Sequence, residues 1–209
     1  RAWRKHACTA TSYARLKAAG CLAAAAVLLN PAWAQGVLAN QTMTQVTGSI
    51  REITVSKNGT VYALSTTVNN TAASGVKNYT IHRWNESRRD WDNIPGQAHK
   101  IAAAPDGTLW IVTAQGAFWR WNSARSSFEQ MPGGGSDIAF GADGSLYATG
   151  GAPANGYYNN PIYKWNGSSW EAATGDSMLL AVEPLGTPWA LVSTGLMYRK
   201  HADSRVGWA

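Results

Sequence analysis

The sequence predicts an all-β protein, a β-propeller of four-stranded antiparallel blades. The main observation is a repeat with a period of about 40 residues, which is typical of propeller blades. Four segments align on a turn glycine: REITVSKNGTVYALS from Arg51, HKIAAAPDGTLWIVT from His99, SDIAFGADGSLYATG from Ser136 and MLLAVEPLGTPWALV from Met178. Each segment has an aliphatic residue six places before the glycine, Thr or Ser directly after it, and a large aromatic residue three places after it.

The second segment shows how the elements of one blade follow each other. Residues 101–104 form a short apolar run, which is consistent with a buried inner strand. Residues 105–107, Pro-Asp-Gly, predict a turn, and residues 109–113 predict the second strand. After a Gln-Gly turn, a third strand at 117–121 and a fourth at 128–131 complete the blade, and Pro132-Gly133 ends it.

The third and fourth strands also recur along the chain. The third reads YTIHRWN, GAFWRWN, NPIYKWN and GLMYRKH, and the fourth reads RDWDNIPG, SSFEQMPG and SSWEAATG. The predicted blades cover about 49–96, 97–133, 134–175 and 176–209. A matching piece, QTMTQVTG at 41–48, precedes them, and we expect it to be the outer strand that closes the last blade. The four blades form either a closed ring or part of a larger, six-bladed ring.

A second periodicity spans two blades. The aromatic residue of the second strand is Tyr in blades one and three and Trp in blades two and four. Blades one and three also have long loops between their second and third strands, at 65–78 and 150–160, where the other two blades have tight turns. This pattern indicates duplication of a blade pair and an even number of blades.

Residues 1–34 have the features of a cleavable signal peptide. A basic leader is followed by the apolar run 18–29 and by Ala32-Trp33-Ala34, a small-x-small cleavage pattern. The leader contains five of the 18 basic residues and none of the 12 acidic ones, so 13 basic and 12 acidic residues remain in the domain at 35–209. We therefore expect a secreted or periplasmic domain, with neither nucleic acid nor membrane insertion among its interactions.

The phrases PDGTLW, ADGSLY, GTPW, IYKWNGSSWE and MYRK, in this order, closely resemble tectonin β-propeller repeats over residues 41–209. Blade four departs from the pattern, with Leu185 at the turn position and Lys200-His201 in place of Trp-Asn. The family includes lectins, usually six-bladed, that bind bacterial lipopolysaccharide or decorated glycans. The resemblance therefore implies carbohydrate recognition.

The sequence contains no catalytic motif such as HExxH, GxSxG or a phosphate-binding loop, so we expect neither enzymatic activity nor a cofactor or metal. We interpret the charged run from Arg88 to Asp92 as a solvated turn. The recurring Trp84, Trp121 and Trp165 are interpreted as packing residues between blades. A basic residue precedes each of these positions, and it either covers a neighbouring blade or donates hydrogen bonds to a glycan.

The residues that break the repeat are the predicted ligand site. Asn and Tyr in the two long loops offer amides, hydroxyls and flat apolar rings, which suit sugars. The candidates are Asn69, Asn70, Asn78, Tyr79, Tyr157, Tyr158, Asn159 and Asn160. The predicted partner is a glycan or lipopolysaccharide. The alternative is a propeller that binds proteins within a bacterial surface or periplasmic assembly.

Overall fold

The computed structural model describes residues 45–151, 158–200 and Trp208. All regular secondary structure in these residues is β-strand, and none of it is a helix that could cross a membrane. The strands of blade one are β1 (Ile50–Val55), β2 (Val61–Thr71), β3 (Lys77–Asn85) and β4 (Asp90–Ala98). Blade two consists of β5 (Lys100–Ala103), β6 (Leu109–Val112), β7 (Ala117–Asn122) and β8 (Ser127–Gly134).

Blade three consists of β9 (Asp137–Phe140), β10 (Leu146–Thr149), β11 (Asn160–Trp165) and β12 (Trp170–Ser177), and blade four of β13 (Leu179–Val182), β14 (Pro188–Leu191) and β15 (Met197–Arg199). Every sheet is an antiparallel meander in chain order. The inner strands β1, β5, β9 and β13 follow each other around an axis, and their ends border one cavity of about 260 Å³. The predicted propeller of antiparallel blades is therefore confirmed.

The glycines that define the repeat have the conformation that the sequence predicts for them. Gly59, Gly107, Gly144 and Gly186 have φ between +85° and +93°. A residue with a side chain adopts this left-handed region only at a cost in energy, whereas glycine adopts it freely. Each inner strand can therefore turn sharply into the second strand of its blade.

The structure differs from the predicted loop at 65–78. Strands β2 and β3 extend into this region, where Val68 pairs with Tyr79 and Thr71 pairs with Lys77 across two irregularities in register. Only residues 72–76 remain as the turn. The polar sequence led to the prediction of a loop, but a two-stranded ribbon can be polar on both faces when its backbone groups pair with each other.

Each pair of blades that follow each other in the chain shares a hydrophobic cluster. In the first, Ile101 and Ala103 of blade two pack with Tyr62, Leu64 and Ile81 of blade one. The second cluster joins Trp110 and Phe118 of blade two to Ile138 and Leu146 of blade three, and the third joins Ile162 of blade three to Ala190 of blade four. The inner-strand residues of a blade thus pack against the second and third strands of the blade before it.

The outer strands of neighbouring blades are joined by an aromatic ring that lies on a glycine. Trp170 Nε1 donates to Pro132 O at 2.9 Å, and its indole lies beside Gly133. Trp208 Nε1 donates to Thr174 O beside Gly175 in the same way, whereas Phe128 lies on Gly96 without a donor. A β-carbon on Gly133 would lie 2.7 Å from the Trp170 ring, so only glycine permits this approach.

The predicted closing strand at 41–48 is only partly within the described residues. Residues 41–44 lie outside them, and residues 45–48 form no strand. In the described part of blade four, pairing beyond β15 is limited to one bridge between Lys200 and Trp208. Pairing of residues 41–48 with blade four therefore stays a prediction.

Candidate functional site

Three further cavities lie at one end of the propeller. We call this end the turn rim, since it has the turns between first and second strands and between third and fourth strands. The opposite end, the loop rim, has the turns between second and third strands and the connections between blades. In an antiparallel meander the first and third strands run in the same direction, which places their ends on the same rim.

Blades one and two have equivalent cavities on the turn rim, of about 620 Å³ and 300 Å³. Each is lined by a polar turn residue, a threonine, an arginine, a tryptophan and an asparagine. These residues are Asn58, Thr60, Arg83, Trp84 and Asn85 in blade one, and Asp106, Thr108, Arg120, Trp121 and Asn122 in blade two. The repeat therefore builds the same polar and aromatic surface twice.

A further cavity, which we call the interblade cleft, lies between blades one and two and has a volume of about 580 Å³. Blade one contributes Arg83, Arg88 and Asp92 to its lining, and blade two contributes Trp121 and Ser123. Trp121 also packs against the hydrophobic cluster between these blades, so its position is fixed by the core. The cleft thus has two indoles, Trp121 and Trp91, together with two exposed guanidinium groups.

The charges of the cleft depend on Asp92. Asn85 Nδ2 donates to Asp92 Oδ2 at 3.0 Å, Arg83 Nη2 lies 3.7 Å from the same oxygen, and Arg88 pairs with Oδ1. The hydrogen bond from Asn85 and the charges of Arg88 and Arg83 lower the pKa of Asp92, so it is a carboxylate at neutral pH. Two guanidinium groups share this one carboxylate, which leaves N–H donors for an acidic or hydroxyl-rich ligand.

Blade two repeats this arrangement around Glu129. Its carboxylate accepts from Asn122 Nδ2 at 2.6 Å, from Arg125 at 3.1 Å and from Arg120 at 3.3 Å. The hydrogen bonds from Asn122 and Arg120 are the main reason why the pKa of Glu129 is lowered. Two arginines again surround one carboxylate, so the pattern is a property of the repeat in these two blades.

Blades three and four depart from this pattern. In blade three, Asn166 Nδ2 donates to Glu171 Oε1 at 2.7 Å, and the basic residue of the third strand is Lys164. In blade four, Arg199 donates to both oxygens of Glu183, at 2.6 and 2.9 Å, and lowers its pKa to about 2. Among the four blades, two arginines thus surround one carboxylate on the turn-rim surfaces of blades one and two.

Two of the predicted loop-rim asparagines accept hydrogen bonds from the backbone of the adjacent blade. Asn78 is fully buried; its Oδ1 accepts from Ala114 N at 2.6 Å and its Nδ2 donates to Asn70 Oδ1 at 2.8 Å. At the equivalent position in blade three, Asn159 Oδ1 accepts from Ser193 N at 2.7 Å. These asparagines therefore stabilise the tight turns of blades two and four. Their role is structural, and it recurs with the two-blade period.

The other predicted residues lie in the same two hairpins. Asn69 Oδ1 accepts from Thr80 Oγ1 at 3.1 Å, and the Tyr79 ring lies 4.0 Å from the guanidinium carbon of Arg51. Asn160 Nδ2 donates to Ser136 Oγ at 3.2 Å, and Tyr158 is exposed. Tyr157 lies outside the described residues. The residues from 69 to 79 form one group and those from 158 to 160 another, on blades one and three.

The cleft residues Arg88, Asp92 and Ser123 were not among the predicted site residues. A signal for part of this set is present in the sequence, because an acid follows the recurrent Arg-Trp-Asn by seven residues in both blades, at Asp92 and Glu129. Among the described residues, no group of three or more His, Cys, Asp or Glu is arranged to hold a metal ion.

No protein-family model and no curated protein matches the chain. Solved structures do match. An auxiliary nutrient binding protein from Bacteroides ovatus is 13% identical, with a TM-score of 0.55 over 78% of this chain and 41% of its own. The structure described as YCF48 bound to D1 peptide is 16% identical, with a TM-score of 0.47 over 81% of this chain and 55% of its own. The chain thus spans about half or less of the length of these two structures.

Proposed function

We propose that this propeller binds carbohydrate without catalysis, and that its ligand occupies the interblade cleft on the turn rim. The observation that carries the proposal is the arrangement of Arg83 and Arg88 around Asp92 next to Trp121 and Ser123. A sugar has an apolar C–H face that packs on an indole and hydroxyl pairs that bond to arginine, carboxylate and serine groups. Because two guanidinium groups share one carboxylate, the cleft favours glycans with acidic groups, as in lipopolysaccharide.

The proposal places the protein outside the cytoplasm, in the periplasm or in the secreted fraction. The support is the signal-peptide pattern of residues 1–34. N-terminal sequencing of the mature protein would begin at Gln35 if cleavage follows Ala34. The fold similarity to the nutrient binding protein is at 13% identity, so it supports a propeller and does not identify a ligand.

The experiment measures binding to a panel of bacterial polysaccharides by calorimetry or column retention. Ser123→Trp would place an indole in the cleft, and we expect it to weaken binding about tenfold or more. Ala124→Trp is the matched control, because Ala124 is exposed in the same turn and does not line the cleft.

Arg83→Gln should also weaken binding about tenfold, whereas Lys164→Gln, at the equivalent position in blade three, should leave it unchanged.

Three outcomes would count against the proposal. If the parent binds no polysaccharide of the panel and is retained instead by a protein partner, the protein-interaction alternative becomes the better one. If Ser123→Trp binds as the parent does, the ligand does not occupy the cleft. If, in addition, Tyr158→Ala abolishes binding, the site lies in the exposed hairpins of the loop rim, as the sequence predicted.

A further inference from the structure

Two lateral surfaces of the propeller have exposed apolar side chains. The blade-one face consists of the exposed Ile53 and Val55, with the half-buried Trp84 on the same face of the sheet, and the blade-four face consists of the exposed Trp189 and Met197. Ile53 is 61% exposed and Met197 is 69% exposed. Monomeric proteins rarely leave large side chains of neighbouring strands uncovered in this way, so such surfaces indicate an interaction site.

These two faces are the two halves of an interface that the protein builds three times. Ile53 occupies the repeat position of Ile101 and Ile138, which are 5% and 4% exposed because they pack on the preceding blade. Met197 occupies the position of Phe118 and Ile162, which are 1% and 0% exposed. The blade-four face is therefore shaped to receive an inner strand, and the blade-one face presents one.

The backbone shows the same complementarity. In the described residues blade four has three strands, and the outer edge of β15 has only the Lys200–Trp208 bridge. At the other end, Trp91 Nε1 donates to Thr47 O at 2.8 Å, and its indole lies beside Gly48. In the other blades with this contact, the carbonyl and glycine belong to the outer strand of the preceding blade. Residues 46–48 are thus placed as the end of such a strand.

We propose that a second copy of this chain docks head to tail, with the blade-one face of one copy against the blade-four face of the other. Residues 46 and 47 of the first copy would then lie along the outer edge of β15 in the second. An unpaired strand edge accepts an added strand through main-chain hydrogen bonds, and the apolar side chains provide the burial. The contact is heterologous, so repetition produces a closed ring or a filament.

The experiment measures the mass of the full chain by sedimentation and light scattering over a range of concentrations. We expect the parent to self-associate. Met197→Glu and Ile53→Glu should each weaken association by about 100-fold or more, because a carboxylate would be buried without a partner. Leu185→Glu is the control, since Leu185 is highly exposed on the turn rim and belongs to neither face.

Mixing the two variants tests the head-to-tail geometry. The Ile53→Glu chain keeps an intact blade-four face, and the Met197→Glu chain keeps an intact blade-one face, so a mixture should form a heterodimer and stop there. A parent that is monomeric at every concentration would overturn the proposal, as would a mixture that remains monomeric. A lower melting temperature of either variant at a concentration where the parent is monomeric would show that the faces cover each other within one chain.

Discussion

Equivalent residues have different environments at the internal interfaces and at the two lateral faces of the propeller. Phe118 and Met197 hold the same position in their third strands, as Trp110 and Trp189 do in their second strands. The first member of each pair is buried against the next blade, whereas the second is exposed. The repeat therefore determines which side chains point toward a neighbouring blade, and burial depends on whether a blade lies there.

The largest expected effect on stability is the difference between substituting Trp110 and substituting Trp189. Trp110→Ala removes an aromatic side chain that packs with Phe140 and Trp165, and we expect a loss of about 3–5 kcal/mol in the free energy of unfolding. Trp189→Ala should cost about 1 kcal/mol, because the ring is partly exposed and its Nε1 bonds to Glu183. Denaturant unfolding at a concentration where the chain is monomeric measures both.

Equal losses in the two variants would contradict this comparison. A large loss for Trp189→Ala would mean that the blade-four face is covered in solution. The same measurement over a range of protein concentrations then distinguishes a second copy from a contact within the chain, because only the former makes the loss depend on concentration.

The fold could be predicted from the sequence because every blade has to solve the same packing problem. The glycine that turns the inner strand, the aliphatic residue before it and the aromatic residue after it are required in each blade, so they recur and can be aligned. The residues that make the contact of Trp170 with Pro132 and Gly133 belong to motifs that recur in the sequence. Their contact could not be predicted, because it joins strands of different blades.

The candidate site was harder to predict for a physical reason. Asn78 and Asn159 looked free for a ligand because they break the one-blade repeat, yet they hold the backbone of Ala114 and Ser193 in the adjacent blades. Conversely, the charged run at Arg88 looked like a solvated turn, and its position beside Trp121 depends on how two blades meet. Sequence spacing describes one blade well, whereas a cleft between blades depends on their relative placement.

An acidic residue at an internal interface provides the next prediction. Asp137 is buried between blades three and four, and its Oδ2 accepts from Leu180 N at 2.7 Å. Burial raises its pKa to about 6, although the charge of Lys100 acts in the opposite direction. Between about pH 4 and pH 6 the folded protein therefore binds this proton more tightly than the unfolded chain, whose aspartate has a pKa of about 3.9.

The free energy of unfolding should consequently fall as pH rises through this window, by up to about 3 kcal/mol from this group. Asp137→Asn keeps an oxygen acceptor for Leu180 N and has no charge, so the fall between pH 4 and pH 6 should be reduced in the variant. Denaturant midpoints at half-unit pH intervals measure the difference. An unchanged slope in Asp137→Asn would mean that the carboxyl group is hydrated in solution and that water enters this interface.

The smallest expected effect concerns the outer end of the same interfaces. Trp170→Phe keeps an aromatic ring beside Gly133 but removes the Nε1 donor, so Pro132 O loses its hydrogen bond. Phe128 already occupies the equivalent position on Gly96 without a donor, which shows that the ring alone satisfies the packing. We therefore expect a loss of about 1 kcal/mol, the usual net value of one hydrogen bond. Trp170→Ala should cost several times more, because it also opens a gap between the outer strands. If the Phe and Ala variants lose the same stability, the hydrogen bond rather than the ring joins these blades. The contact of Phe128 with Gly96, which has no such hydrogen bond, would then be the weakest of these contacts between aromatic rings and glycines.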